Sequence, residues 1–358
     1  MNRIILIGNG FDLAHGLKTS YKHFIDNFWE KQVNKILSSV FNGNELITNS
    51  YEDNVVKAYA TNSDWKMIKN TFDPKYKGYN LFQTFCHMPV TFIGDDETYN
   101  TEFYCKYNFL KRISDKQHFD KWVDIECEYY KALLECLDSN NSDEAVSQLN
   151  NEFNSIQILL QEYLSEEYKD LPSLNLYIRS HIFSSIDEKD IILFLNFNYT
   201  RTLCSYTYAT RNTQTIYIHG ELDKSMNNPI IFGYGDEIDD NYIKLEKNNN
   251  RGFLEYIKSI KYSLTENYQR MLSFLEAGDF EVYIMGLSCG LSDRTLLNII
   301  FEHNNCKSVK IFFKQIDSIN DSYLDTYINV SRNFNNKNLL RKKVLPRPKC
   351  VSLTPLNK

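Results

Sequence analysis

The feature that most constrains this chain is a set of short apolar runs that do not alternate. Residues 4–7 (Ile-Ile-Leu-Ile) and 191–195 (Ile-Ile-Leu-Phe-Leu) are continuously apolar between polar or glycine ends. Shorter runs follow at 215–219, 230–233, 281–286 and 309–313. A strand with one wet face alternates apolar and polar residues, whereas a strand covered on both faces does not. β-Branched and aromatic residues dominate these runs, which favours strands over helices. The expected fold class is therefore α/β, with a Rossmann-like, mostly parallel sheet flanked by helices. An apolar fraction of 42% supplies enough core to exclude a disordered chain.

Between the first two strands the pattern changes. Helical spacing predicts helices over 21–40, 121–137, 143–168 and 174–186. In the second of these, Trp122, Ile125, Tyr129, Leu133 and Leu137 fall on one face. The stretch 42–108 is polar and aromatic and fits neither period. Segment 21–186 thus reads as a large helical insertion after the first strand, a lid over a core made of 1–20 plus 187–335. A long helix is predicted over 252–277, ended by Gly278. Residues 336–358 form a basic C-terminal tail, with Arg341, Lys342, Lys343, Arg347 and Lys349, and read as a solvated terminus.

The formal net charge of −6 makes the chain a poor generic partner for nucleic acid or anionic membrane. None of its eight cysteines forms a C-x-x-C pair, so no metal site is expected. They read as reduced thiols of a cytoplasmic protein. The apolar run at the N-terminus stops at Gly8, too early for a secretory signal, and no stretch approaches the length of a membrane span.

Four stations follow predicted strands. Gly8-Asn9-Gly10-Phe11-Asp12 is either a tight strand-to-helix turn or a backbone cradle for an anion. It departs from the usual dinucleotide fingerprint, because Leu13 stands where the third glycine belongs. Asn196-Phe197-Asn198-Tyr199-Thr200 places an amide side chain at the rim where open α/β sheets bind ligands; Thr200 reads as a helix cap. His219-Gly220 offers a group that accepts a proton near neutral pH, or a structural histidine. Gly286-Leu-Ser288-Cys-Gly-Leu-Ser-Asp293 offers backbone and hydroxyl groups for phosphate or ribose, with Asp293 an alternative N-cap. Glu126 either reaches the cleft or is a surface acid.

These residues also carry a family resemblance. Residues 5–21 (Ile-Leu-Ile-Gly-Asn-Gly-Phe-Asp-Leu-Ala-His-Gly-Leu-Lys-Thr-Ser-Tyr) resemble the opening of the bacteriophage abortive-infection AbiH family. The stretches Trp122-Val-Asp-Ile-Glu126, Leu195-Asn-Phe-Asn-Tyr-Thr200 and Gly286–Asp293 are similar to the same family. The stations also resemble a diverged sirtuin-like, or DHS-like, fold. Gly8-Asn9-Gly10 stands for its phosphate turn, Asn198-Tyr199-Thr200 for its strand end, His219-Gly220 for its His-Gly, and Gly286-Leu287-Ser288 for its Gly-x-Ser segment. Thr200 replaces the usual acid, and the four-cysteine zinc module is absent, which speaks against protein deacetylation.

The resemblance implies an anti-phage effector that hydrolyses NAD+ at the nicotinamide–ribose bond without a metal. Asn198 and His219 would be catalytic. Gly8, Asn9, Gly10, Phe11, Asp12, Gly286, Ser288 and Asp293 would bind the nucleotide, with Trp122 and Glu126 contributed by the lid. A non-catalytic nucleotide sensor is the alternative. An enzyme that consumes NAD+ needs gating, so a homo-oligomer or a phage-triggered partner is also expected.

Overall fold

The computed structural model describes residues 2–71, 102–116, 122–183, 189–206, 212–223, 225 and 227–355. In chain order its strands are β1 (Asn2–Ile7), β2 (Phe41–Asn42), β3 (Glu45–Leu46), β4 (Ser50–Glu52), β5 (Val56–Tyr59), β6 (Glu102–Cys105), β7 (Ile191–Asn196), β8 (Thr213–Tyr217), β9 (Phe280–Met285), β10 (Cys306–Phe313) and β11 (Val351–Ser352). The chain divides into two compact units. One holds 1–19, 126–150 and 157–358; the other holds 20–125 and 151–156.

The first unit is built on a six-stranded sheet in the order β11-β10-β9-β1-β7-β8, every pair parallel. Strand β1 lies inside it, with Ile4 opposite Leu193 on one side and Val282 on the other. The run Ile-Ile-Leu-Ile is continuous because both faces of β1 are buried. Ile4 and Leu6 enter one core cluster with Leu193, Leu195, Val282 and Ile284. Ile5 and Ile7 enter the opposite cluster with Ile192, Phe194 and Met285. The chain proceeds from β1 outward to β7 and β8, then returns to β9 and runs outward the other way. β1 and β9 therefore flank the switch point, where such sheets carry ligands beyond the strands' carboxyl ends.

The second unit contains the helix Tyr21–Val40, capped by Ser20, whose hydroxyl accepts from the His23 amide. Its buried face includes Phe24, Trp29, Val33 and Ile36, and the Trp29 indole donates to Ser114 Oγ at 2.9 Å. The stretch that fits no period forms two small antiparallel sheets, β2-β3 and β4-β5-β6. Residues 72–101 of that stretch lie outside the described residues.

Other local expectations change. The run 230–233 is not a sheet strand. It is a buried crossing segment in which Ile231 donates to His219 O, and Tyr234 bridges to Ile257. Gly233 lies where a Cβ would meet Tyr256 O at 2.0 Å, and Tyr234 N donates to Tyr256 O at 3.0 Å and Lys258 N to Tyr234 O at 2.8 Å, so the segment pairs with 256–258 and not with the sheet. The long helix over 252–277 is broken into Arg251–Leu254, Lys258–Lys261, Tyr262–Leu264 and Asn267–Glu276. Extended backbone at Ile257 and Thr265 makes the breaks. Of the helix expected over 174–186, the described part forms Leu176–His181. The basic tail is not wholly solvated. Leu340 and Val344 are buried, and β11 joins the sheet edge beside β10. No helix among the described residues is long and apolar enough to cross a membrane.

The turn after β1 packs directly on the turn after β9. A Cβ on Gly286, whose φ is +73°, would lie 2.2 Å from Phe11 N and 2.6 Å from Gly10 C. Both the left-handed backbone and the contact exclude a side chain there. Gly286→Ala should therefore lower the unfolding free energy by roughly 2–4 kcal/mol, read from urea denaturation.

Candidate functional site

The residues after β1, β7, β8 and β9 gather on the carboxyl edge of the sheet, all within the first unit. In the turn after β1, Gly8 N donates to Met285 O at 3.0 Å, Gly10 N to Gly286 O at 2.8 Å, and Phe11 N to Gly8 O at 2.8 Å. These are three of the four amides from Gly8 to Phe11 expected to cradle a pyrophosphate, and all three are already engaged. The glycines serve a different need: they let the two turns meet backbone to backbone. Asn9 Oδ1 accepts from Thr19 Oγ1 at 2.6 Å. The Phe11 ring is buried in the core against His15 and Tyr206.

Asp12 lies behind this turn, 1% exposed. Its Oδ2 accepts from Thr200 Oγ1 at 2.6 Å, and Thr202 Oγ1 reaches Thr200 Oγ1 at 3.3 Å. Thr200 therefore uses its hydroxyl to hold Asp12, not to cap the following 3-10 helix, Thr202–Ser205. Asp12 Oδ1 has no hydrogen-bond partner. Burial pushes the Asp12 carboxyl up to about 6, against the opposing hydrogen bond from Thr200 and the nearby polar groups of Thr202 and Asn198. Asn198, 8% exposed, donates from Nδ2 to Gly8 O at 3.0 Å, and its backbone amide donates to Asn196 Oδ1. One amide side chain thus ties the end of β7 to the turn after β1.

His219 ends the β8 segment and is 5% exposed. Its Nε2 lies 3.1 Å from Asp293 Oδ1 and 3.2 Å from the Tyr262 hydroxyl. Its ring meets Phe197 edge-on and lies parallel to Tyr262. Asp293 occupies the N-cap position of the helix Arg294–Glu302 but makes no side-chain cap bond. It turns instead to His219 and to Lys258, whose Nζ is 2.8 Å from Asp293 Oδ1. Lys258 Nζ also lies 2.9 Å from Glu126 and 3.4 Å from Ser292 Oγ. Glu126 is thus no surface acid; its carboxylate is buried in this row and also accepts from the Gly233 amide.

Four ionisable side chains are packed out of water here, so their charges must balance locally. Burial alone would raise Asp293, but the Lys258 ammonium and His219 outweigh it and hold the carboxyl below its ordinary range. For Glu126 burial wins over Lys258, and its carboxyl is raised. Burial opposes the Lys258 charge, and the two carboxylates overcome it and raise the ammonium. The ion pair proper is therefore Lys258–Asp293, with Glu126 the more easily protonated neighbour.

Of the residues expected at the site, Asp12, Asn198, His219, Asp293 and Glu126 all carry buried polar contacts in this region. Gly8, Gly10 and Gly286 form the packed turns, and Ser288 presents its carbonyl to Asn329 Nδ2 at 3.0 Å. The Trp122 side chain lies outside the described residues. Lys258, Tyr262 and the Thr200 bond to Asp12 are additions that the sequence reading lacks. Nothing in Lys258-Ser-Ile-Lys261 distinguishes the first lysine from the last. Among the described residues, no group of three or more His, Cys, Asp or Glu side chains is arranged to hold a metal ion.

A family model described as "Bacteriophage abortive infection AbiH" matches residues 4–315. No curated protein and no solved structure matches.

The state of Asp12 sets a pH dependence. A carboxyl raised in the folded state favours the folded form while it is protonated, and that advantage is lost as pH rises through about 6. Relative to Asp12→Asn, which carries no charge to bury, the parent should lose up to about 3 kcal/mol of stability between pH 4 and pH 7.5. Denaturation midpoints of both proteins at the two pH values measure the difference.

Proposed function

From the premise that this chain belongs to the bacteriophage abortive-infection AbiH family and has a role in phage abortive infection, we propose that it acts by hydrolysing NAD+ at the nicotinamide–ribose bond. On this reading the all-parallel sheet is a diverged sirtuin-like core, and the nucleotide lies across its carboxyl edge. The observation that carries the reading is that a histidine paired with a buried carboxylate follows β8, an amide side chain follows β7 and a carboxyl of raised proton affinity follows β1, all on the carboxyl edge of one sheet.

The chemistry suits such a set. The bond from ribose C1′ to the nicotinamide nitrogen breaks with its electron pair going to the ring, which leaves neutral and needs no acid. The ribose passes through an oxocarbenium-like state. Water adds to C1′, and its proton passes to His219. Asn198 orients the ribose or the water, and the unpartnered Asp12 oxygen accepts from a ribose hydroxyl. The catalytic side chains are nearly buried and three amides of the glycine turn are engaged, so substrate entry requires this edge to open. That requirement fits an effector gated by self-assembly or by a phage-triggered partner, and it equally suits a nucleotide sensor.

Nicotinamide release from NAD+ by the purified protein, with and without phage-infected extract, tests the proposal. His219→Ala should slow release by about 10²–10⁴-fold, the usual worth of a positioned base, while leaving the folded state intact by circular dichroism. Binding of NAD+ with no release under either condition favours the sensor. An unchanged rate in the alanine variant overturns the role of His219.

A further inference from the structure

We propose that Lys258 is a positioning residue that, by keeping Asp293 ionised, fixes the His219 imidazole with its proton on Nε2 and leaves Nδ1 as the proton-accepting atom of the site. The inference deepens the proposed function and takes from it only the role of His219 as acceptor.

The argument rests on one shared oxygen. Asp293 Oδ1 is 2.8 Å from Lys258 Nζ and 3.1 Å from His219 Nε2. A carboxylate oxygen has no proton to give, so the imidazole nitrogen facing it must donate. The opposite tautomer would aim the Nε2 lone pair at a carboxylate in a site nearly closed to water, where repulsion is weakly screened. The Tyr262 hydroxyl, 3.2 Å from the same nitrogen, does not reverse this: its oxygen accepts a share of the Nε2 proton. Among the described residues, no hydrogen-bonding group lies on Nδ1, which leaves that lone pair for a reacting proton. A carboxylate that orients an imidazole in this way is a general device for setting its tautomer.

Lys258 is what makes Asp293 a carboxylate. The lysine is 1% exposed, and its ammonium is the only lysine or arginine charge in contact with Asp293 among the described residues. The other charged or titratable groups around His219 are Glu126 from the helix Trp122–Leu137, Tyr199 after β7, and Tyr262. None of them supplies a cation. With Lys258 replaced by a neutral side chain, Asp293 loses the cation that holds it ionised, and its oxygen no longer dictates which nitrogen of the imidazole carries the proton.

The test is the ring-nitrogen signature of His219 in ¹⁵N–¹H long-range correlation spectra of the full chain at pH 7.5, assigned by its loss in His219→Gln. The parent should show one protonated ring nitrogen, Nε2. Lys258→Met, which keeps most of the apolar stem but not the charge, should cost the ring its single Nε2-protonated signature, and Lys258→Arg should keep the parent pattern. A parent ring protonated on Nδ1 overturns the proposal with no variant needed, as does an unchanged ring in a folded Lys258→Met protein. The spectra require no substrate, so failure of NAD+ hydrolysis and failure of the tautomer assignment are read separately. If the parent hydrolyses NAD+, Lys258→Met should lower kcat with little change in KM, because the lysine acts on the base through Asp293.

Discussion

The backbone contact between the turns after β1 and β9 is the constraint on which the carboxyl edge depends. Gly8, Gly10 and Gly286 approach so closely that a single added Cβ would overlap a main-chain atom. The contact fixes where β1 delivers Asp12 and where β9 delivers the segment leading to Asp293. It also engages the Gly8 and Gly10 amides in hydrogen bonds to Met285 O and Gly286 O. A glycine-rich turn at a strand end thus has two physical explanations, ligand approach and chain approach, and in this molecule the second is visible.

The second organising element is charge taken out of water. Lys258, Asp293, Glu126 and His219 come from four separated parts of the chain and are buried together. A buried ion pair contributes little net stability against well-packed hydrocarbon, because desolvation offsets the attraction. Removing one partner is a different matter, since it strands the other charge. The row is better understood as a device that holds protonation states than as a source of folding energy. Asp12 provides the contrast: it has hydroxyl and amide neighbours but no cation, and burial leaves its carboxyl high. One edge of the sheet therefore carries two acids with opposite proton affinities, separated by their surroundings alone.

Much of this was legible in order along the chain. The runs at β1, β7 and β9 declare parallel strands because each lacks an exposed face. Asp12, Asn198 and His219 can be picked out because a polar side chain directly after such a run must sit at the sheet's edge. Legibility failed where a local pattern has two outcomes. The run 230–233 looks like a strand, yet its neighbours are a strand end and a close-packed backbone. The stretch 252–277 looks like one helix, yet two extended residues break it so that Lys258 points inward. Asp293 and Thr200 look like caps, yet each finds a stronger partner: an ammonium for one, a buried carboxyl for the other.

The sequence by itself determined the central strands β1, β7 and β9, their burial on two faces and the polar or glycine residues that follow them, because these follow from side-chain period and chain direction. Only the tertiary structure decided what those polar residues do. Lys258 is 132 residues from Glu126 and 35 from Asp293, and it lies beside both. No short-range pattern encodes a contact of that kind. A buried charge finds its counter-charge through the packing of whole segments, and that packing is set by the sheet order rather than by neighbours in the chain.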